Sequence, residues 1–317
     1  MKFAGIIAEY DPFHNGHAWQ LAQAKALGAE RVAVAMSCSL VQRGALPLLP
    51  EAVRTRSALT CGADLVFALP APCACAGAEA FARAGVALLA AAGCDGLVFG
   101  AEMPDAALLM EAAELLDSDS YRAALKAQLA GGARSFAAAR QAAAAKLASD
   151  ERVAALLDKP NNNLAVEYCR AIRSLAPRME AYPLPRQGAN HGEALHSAHG
   201  QFASASALRK LWAEGGADAV APYVPEAVFP LYQEAYAAGQ YTDFSAAGRC
   251  ELALLRSACR GKAPFADIRG VSEGLEHRLE AAVRTSTTYD ELLDALTTVR
   301  YPRARMRRLA MDAALGC

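Results

Sequence analysis

An α/β fold with a central parallel sheet, followed by a helical carboxy-terminal region, is the architecture this sequence predicts. Three observations carry that expectation. Short apolar runs alternate with helix-length segments through the first hundred residues. The first run ends in His14-Asn15-Gly16-His17, at the passage from strand to helix. Beyond Gly215, helix-length segments follow one another with no convincing strand between them. Together they describe a Rossmann-like sheet with helices appended.

Phe3–Ala8 is a short apolar run suited to a buried strand, and His17–Leu27 reads as the helix after it, stopped by Gly28. Arg31–Met36 is the second strand, and Glu51–Cys61 the second helix, ended at Gly62. Asp64–Leu69, Ala76–Ala92 and Gly96–Phe99 continue as strand, helix and strand, closed by Gly100. This alternation implies parallel strands joined by right-handed crossovers. Pro104–Leu157 is alanine-rich and reads as several helices, with Pro104 suited to a first turn. Asn161–Leu175 is a further helix and Met179–Leu184 a strand, followed by a polar segment, Arg186–Gln201. Ser204 caps a helix through Trp212. Residues 1–215 are expected to form one unit, with a helical insertion at about 104–157, and residues 216–317 a helical region.

A hydrophobic content of 54% with 21% charged residues excludes a disordered chain. The net charge of −1 provides no global attraction to nucleic acid, so any RNA contact needs a local basic patch. No apolar run reaches membrane-spanning length, and the amino terminus enters a strand without a signal-peptide layout. A cytoplasmic protein with no membrane partner is expected. The nine cysteines are scattered through core segments, as at Cys61, Cys94 and Cys169, and read as reduced thiols. Cys73 and Cys75 lack a second Cys/His pair at zinc-site spacing, so no protein-ligated metal site is predicted.

Two histidines around a glycine, where a strand's carboxyl end meets a helix's amino end, suit a bound phosphate. Imidazole donates whether neutral or charged, and glycine lets ligand approach backbone. Taken singly, His14 or His17 would equally cap the helix or sit in the core. Arg43 follows the second strand and can fork onto a triphosphate or carboxylate, or serve as an ordinary loop arginine. Gly100 can lie beneath an adenine or ribose, or simply turn the chain. Asn161, Asn162 and Asn163 stand at a helix entrance, where one caps and the others are spare amides. Arg186 and His191 flank Gly188 in a loop expected to return to the sheet edge. Ser204, Ser206, Arg209 and Lys210 bring hydroxyls and cations to one helix amino terminus, able to cover a pyrophosphate. Glu102, after the fourth strand, fits either a place near magnesium or an ordinary surface. Arg300–Arg308, with Tyr301 interleaved, is the one dense basic cluster. Such a run is usually a solvated helix face, but it can also grip an RNA backbone and stack on a base.

Ala8–His17, Val41–Gly44, Phe99–Glu102, Lys159–Asn162, Phe202–Arg209, Glu273–Glu276 and Arg300-Tyr301, in that order, resemble the bacterial tRNA(Met) cytidine acetate ligases. These belong to the His-x-Gly-His nucleotidyltransferase superfamily, and the resemblance covers nearly the whole chain. It implies a nucleotidyltransferase core that uses ATP, with Mg2+ arriving on it, and acetate to make acetyl-adenylate. The implied acceptor is the wobble cytidine of elongator tRNA(Met), with the helical region helping to hold the tRNA. The implied ATP site comprises Ile7, Ala8, Glu9, Tyr10, Asp11, Pro12, Phe13, His14, Asn15, Gly16, His17 and Gln20, with Gly100, Asn161 or Asn162, and Arg186. His14, His17, Arg43, Ser204 and Arg209 are the expected catalytic set.

Two departures stand out. Cys38-Ser39 occupies the place where the family usually has glycine-asparagine. Pro50-Glu51 replaces an aspartate-lysine pair, which removes a cation from near the triphosphate. The chain is short for the family and ends soon after the basic cluster, so part of the tRNA-binding region is expected to fall outside it. Two other readings stay open. One is an adenylyltransferase that passes AMP to a small phosphorylated metabolite; the other is a nucleotide- or RNA-binding paralogue without catalysis.

Overall fold

The computed structural model describes residues 1–132, 135–185, 195–197, 200–260 and 264–317. In chain order the first half carries β1 (Phe3–Ala8), α1 (Asn15–Ala26), β2 (Arg31–Ser37), α2 (Glu51–Thr60), β3 (Leu65–Leu69), α3 (Ala71–Ala74), α4 (Ala78–Ala91) and β4 (Gly96–Ala101). Then come α5 (Ala106–Asp117), α6 (Asp119–Ala130), α7 (Phe136–Leu147), α8 (Glu151–Leu156), α9 (Pro160–Leu175) and β5 (Glu180–Pro185). A short pair follows, β6 (Leu195–Ser197) and β7 (Gly200–Phe202), and then α10 (Ala205–Gly215). After a 3-10 turn (Asp218–Tyr223) the chain ends in α11 (Phe229–Ala237), α12 (Phe244–Ala258), α13 (Leu275–Thr285), α14 (Tyr289–Leu296) and α15 (Arg303–Leu315).

The main sheet is parallel throughout, in the order β3-β2-β1-β4-β5. The chain moves outward from β1 to β3 and then returns to β4 on the other side. That reversal opens a crevice at the strands' carboxyl ends between β1 and β4, where open α/β sheets bind ligands. Both faces are covered, as the side-chain alternation of a strand requires. Ile7, Ala33, Ala35, Leu97 and Phe99 face one core, filled by α4, α5 and α9. Ala4, Ile6, Val32, Val34, Met36 and Val98 face the other, filled by α1, α2, α10 and α11.

Every strand expected in the first 185 residues is present, with β4 and β5 each running slightly further. The predicted helix from Ala76 is preceded by the separate short turn of α3. The polar stretch before Ser204 contains the antiparallel pair β6–β7. Three-residue strands leave no readable period, which is why they escape sequence reading. Arg186, Gly188 and His191 lie outside the described residues.

Beyond Gly215 the packing divides. Val220, Val228, Tyr232 and Ala235 join the core on the α1/α2 side of the sheet, and Tyr232 Oη donates to the Phe13 carbonyl at 2.8 Å. From α12 to α15 a separate core forms around Leu255, Leu279, Leu292, Leu296 and Met306. Two ties dock it. Arg269 grips Asp312 of α15 at 2.9 and 3.0 Å and also donates to the carbonyls of Pro72 and Cys75 at 2.5 and 2.8 Å. Thr242 donates through Oγ1 to Pro47 O at 2.6 Å and through its amide to Leu48 O at 2.8 Å.

Within the helical core Glu251 is 9% exposed and accepts a hydrogen bond from Tyr289 Oη. Burial pushes its pKa up to about 7 from 4.5, against that hydrogen bond and the nearby Arg307 charge. Between those two values the folded chain binds more protons than the unfolded one, so stability falls as pH rises through the window. E251Q keeps an acceptor for Tyr289 and removes the titration. Its unfolding free energy, read from urea titrations, should match wild type near pH 4 and exceed it near pH 8, by up to about 3 kcal/mol at about 1.4 kcal/mol per pH unit. A difference that does not grow with pH would contradict this account.

Cys94 and Cys169 are buried and Cys61 half-buried, and the cysteines carry no disulfide. Desolvation raises their thiols to about 12, 12 and 11, which leaves them unreactive. Among the described residues no helix is long and apolar enough to cross a membrane.

Candidate active site

His14 is the cap of α1, and the two histidines fix each other. His14 Nδ1 accepts from Gly16 N–H at 3.0 Å, while His17 Nδ1 accepts from His14 N–H at 3.3 Å, a reciprocal capping box. A neutral ring that accepts at Nδ1 carries its proton on Nε2, so both rings are set as donors. The rings stack at 3.8 Å, and Tyr10 and Phe13 pack against His17 at 4.8 and 5.6 Å. Gly16 is required by the same arrangement, since a Cβ there would meet His14 Cε1 at 2.9 Å. Asn15 faces away from the rings and anchors the turn through Nδ2 to the carbonyls of Gln201 and Pro222, at 3.0 and 3.2 Å.

A carboxylate and arginine cluster lies beside the histidines. Asp11 is 2% exposed, accepts from Leu48 N–H at 2.5 Å, and pairs with Arg43 at 2.9 Å and Arg209 at 3.3 Å. Arg209 also donates to the Asp11 carbonyl. Burial lowers the Arg209 pKa to about 10, with Asp11 opposing and Arg43 adding to the fall, so it stays charged at neutral pH. Arg43 lies against the Phe244 ring, 5.5 Å from its centroid. Arg43 and Arg209 thus meet here, each oriented by Asp11, while Arg186, the third arginine expected at the site, lies outside the described residues. Ser204 caps α10, accepting from Ala207 N–H at 3.2 Å, and its hydroxyl meets that of Ser206 at 3.0 Å.

Sequence reasoning missed Arg54, which is fully buried beneath this cluster. Its guanidinium donates to the carbonyls of Leu49 at 3.0 Å, Glu9 at 2.7 Å, Ser37 at 2.6 Å, and Cys38. One fork thus ties together the ends of β1 and β2 and the start of α2. Desolvation lowers its pKa, opposed by Asp11, Glu51 and Glu9. Nothing in the residues around position 54 marks this role.

Across the crevice, Glu102 follows β4 and caps α9. Its carboxylate accepts from Asn162 N–H at 2.8 Å and Asn161 Nδ2 at 2.6 Å, satisfying an otherwise unpaired first-turn amide. Asn162 is fully buried and returns the contact, accepting from the amides of Glu102 and Met103 at 2.9 and 3.0 Å. Gln20 reaches from α1 to the Val98 carbonyl at 3.1 Å.

Between these walls is a cleft of about 360 Å³. Of the residues predicted to hold ATP, Ile7, Ala8, Glu9, Tyr10, Asp11, His14, Gly16, His17, Gln20, Gly100 and Asn161 line it. Pro12, Phe13 and Asn162 are buried behind the lining, and Arg43, Ser204 and Arg209 stand beside it. The apolar floor, formed by Phe81, Phe99, Leu164, Tyr168 and Leu184, was not foreseen. These side chains look like core in the sequence, and only their meeting at the switch point makes a pocket. The Tyr10 hydroxyl, which borders the cleft, is buried without a partner among the described residues.

A family model described as HIGH Nucleotidyl Transferase matches residues 1–317. A protein of Acetivibrio thermocellus named tRNA(Met) cytidine acetate ligase is 33% identical over 327 residues, covering 100% of this chain and 77% of that protein. The chain belongs to this ligase family. A namesake from Syntrophotalea carbinolica is 36% identical over 314 residues, 98% of this chain and 73% of its own. The crystal structure of Thermotoga maritima TmcAL bound with alpha-thio ATP superposes with a TM-score of 0.89 at 29% identity, covering 100% of this chain and 75% of that one. The apo form of the same protein gives 0.90 at 31% identity, covering 99% and 75%.

The 38–51 stretch keeps a defined structure here. Cys38 Sγ donates to Leu69 O at 3.2 Å and its carbonyl receives Arg54. Glu51 is exposed in the first turn of α2, where its charge faces Arg54 and complements the helix dipole. Gly44 is needed because its φ is +77° and a Cβ would meet the backbone N of Arg308 at 2.6 Å. The Val41–Gly44 segment is therefore seated directly on α15, and Arg308 donates to Gln42 O at 3.1 Å. The rest of the basic cluster is partly neutralised. Arg303 pairs with Asp290 and Asp294, and Arg300 with Glu273. Arg300 and Arg305 also lie over the Tyr301 ring, at 5.8 and 5.1 Å.

Proposed function

We propose that this protein condenses acetate with ATP to acetyl-adenylate, then transfers the acetyl group to N4 of the wobble cytidine of elongator tRNA(Met). The observation that carries the reading is the His14–His17 pair, locked as donors at the amino end of α1 and at the sheet's switch point. Kinship with proteins named tRNA(Met) cytidine acetate ligase, and the alpha-thio ATP bound by a structural neighbour, support it.

In the first step an acetate oxygen attacks the α-phosphorus and the bond to pyrophosphate breaks. The two Nε2–H groups and the positive end of the α1 dipole stabilise charge moving onto the phosphates, and Arg43 and Arg209 add a fixed positive field. Gly100 and the apolar floor suit the adenosine end. Mg2+ enters as its ATP complex, held mainly by phosphate oxygens and water. Among the described residues no group of three His, Cys, Asp or Glu side chains is placed to hold it. Residues 1–215 form the ATP-binding unit in this proposal, and residues 216–317 contribute tRNA contacts, with Arg300, Tyr301 and Arg305 as an accessible basic and aromatic edge.

Incubation with labelled acetate, ATP and bulk tRNA tests the reading. Label in tRNA together with AMP release is the expected result. ATP turnover with no label in RNA would instead indicate AMP transfer to a metabolite, and neither would indicate a non-catalytic binder.

A further inference from the structure

We propose that Glu9 is the base that accepts the proton from the attacking amine in the acetyl-transfer step. This rests on the two-step reaction proposed above. When N4 of cytidine attacks the carbonyl carbon of acetyl-adenylate, a C–N bond forms and the C–O bond to the phosphate breaks. AMP leaves with that electron pair, and one N4 proton must go elsewhere. The N4 lone pair is delocalised into the pyrimidine ring, so the amine is a weak nucleophile and gains from a positioned base.

The described ionisable side chains that line the cleft are Glu9, Asp11, His14, His17, Tyr10 and Tyr168. Hydrogen-bond geometry and burial together remove all but one. Each histidine accepts a backbone N–H at Nδ1, so the nitrogen left to it is a donor. Asp11 is occupied by the Leu48 amide and two guanidiniums. Burial raises both tyrosine hydroxyls well above their ordinary range, which keeps them protonated. Glu9 is different. It sits half-buried at the end of β1, and Gln42 N–H engages its Oε1 at 2.5 Å, while no such bond is made to Oε2 among the described residues.

The groups around Glu9 come from every neighbouring element. Asp11 faces it from its own loop, Arg43 from the loop after β2, Arg209 from α10 and Tyr168 from α9. Arg54 of α2 holds its main-chain carbonyl at 2.7 Å. Burial first, and then the Asp11 charge, raise the Glu9 pKa; Gln42 N–H, Arg43 and Arg209 oppose them. A carboxylate raised in this way is a stronger base nearer neutral pH.

The test supplies acetyl-adenylate directly to enzyme and tRNA in a single turnover, with E9Q beside wild type. Glutamine can still accept from Gln42, so the loop is retained. Wild-type transfer should rise with pH along a limb displaced above the ordinary carboxylate range, as Glu9 ionises. In E9Q transfer should fall by about 10²-fold or more and lose that limb. E9D should restore a limb at reduced rate. Transfer in E9Q within about threefold of wild type, or slower transfer that keeps the limb, would overturn the assignment. Should wild type pass no acetyl group to tRNA in this assay, the functional reading itself fails, a result distinct from an active E9Q.

Discussion

Alanine in place of His17 is expected to slow acetate-dependent ATP–pyrophosphate exchange by about 10²–10³-fold, the usual effect of removing one preorganised donor to developing charge. The chain should stay folded. His17 contributes one capping bond to α1 and packs against Tyr10 and Phe13, and loss of a cap costs about 1 kcal/mol. The catalytic loss, about 3 kcal/mol or more in barrier height, is larger because a low-dielectric cleft gives no substitute donor. Far-ultraviolet circular dichroism separates the two effects. Exchange that persists at the wild-type rate in a folded H17A protein would remove His17 from the phosphate site.

Arg54→Met should be the most disruptive single change in this region, destabilising the protein by about 3–5 kcal/mol. The side chain is wholly buried, and its departure strands the carbonyls of Glu9, Ser37, Cys38 and Leu49, each of which loses its guanidinium donor. Each stranded group costs about 1–3 kcal/mol if water cannot reach it. Asp11, Glu51 and Glu9 would also lose a compensating positive charge. Lysine would rescue little, because a single ammonium cannot span carbonyls from three segments as a planar fork does. A urea midpoint is the direct measurement. The KM for ATP should rise as well, since the same carbonyls fix the ends of β1 and β2 that shape the cleft. An unchanged midpoint in R54M would mean the carbonyls find other partners, and would end the claim.

These two residues differ sharply in how they can be found. His17 belongs to a local pattern: an apolar run, then a glycine between two histidines, then a helix. The pattern carries its own placement, because a strand followed directly by a helix must put the junction at the sheet's carboxyl edge. Arg54 lies 45 residues from Glu9 and 17 from Ser37 along the chain, inside an unremarkable helix. Asn161 and Asn162 fall between these cases. Their position at a helix entrance suggested a cap, yet the capping side chain is Glu102, 60 residues earlier. The basic run 300–308 was visible as composition, but the acidic partners from α14 and the loop before α13 that neutralise part of it were not.

By itself the sequence determined the parallel sheet, the alternation of its strands with helices, and the histidine junction at the end of the first strand. Each of these follows from periodicity, glycine stops and residues close together along the chain. Only the tertiary structure decided how the cleft is electrostatically organised: Asp11 holding Arg43 and Arg209, Arg54 stapling two strand ends, Glu9 keeping one oxygen uncommitted among the described residues, and α15 seated on the 41–44 segment. Those contacts depend on where separate elements come to rest, and burial assigns them their strength. A carboxylate or guanidinium is ordinary in water and decisive once desolvated beside its partner.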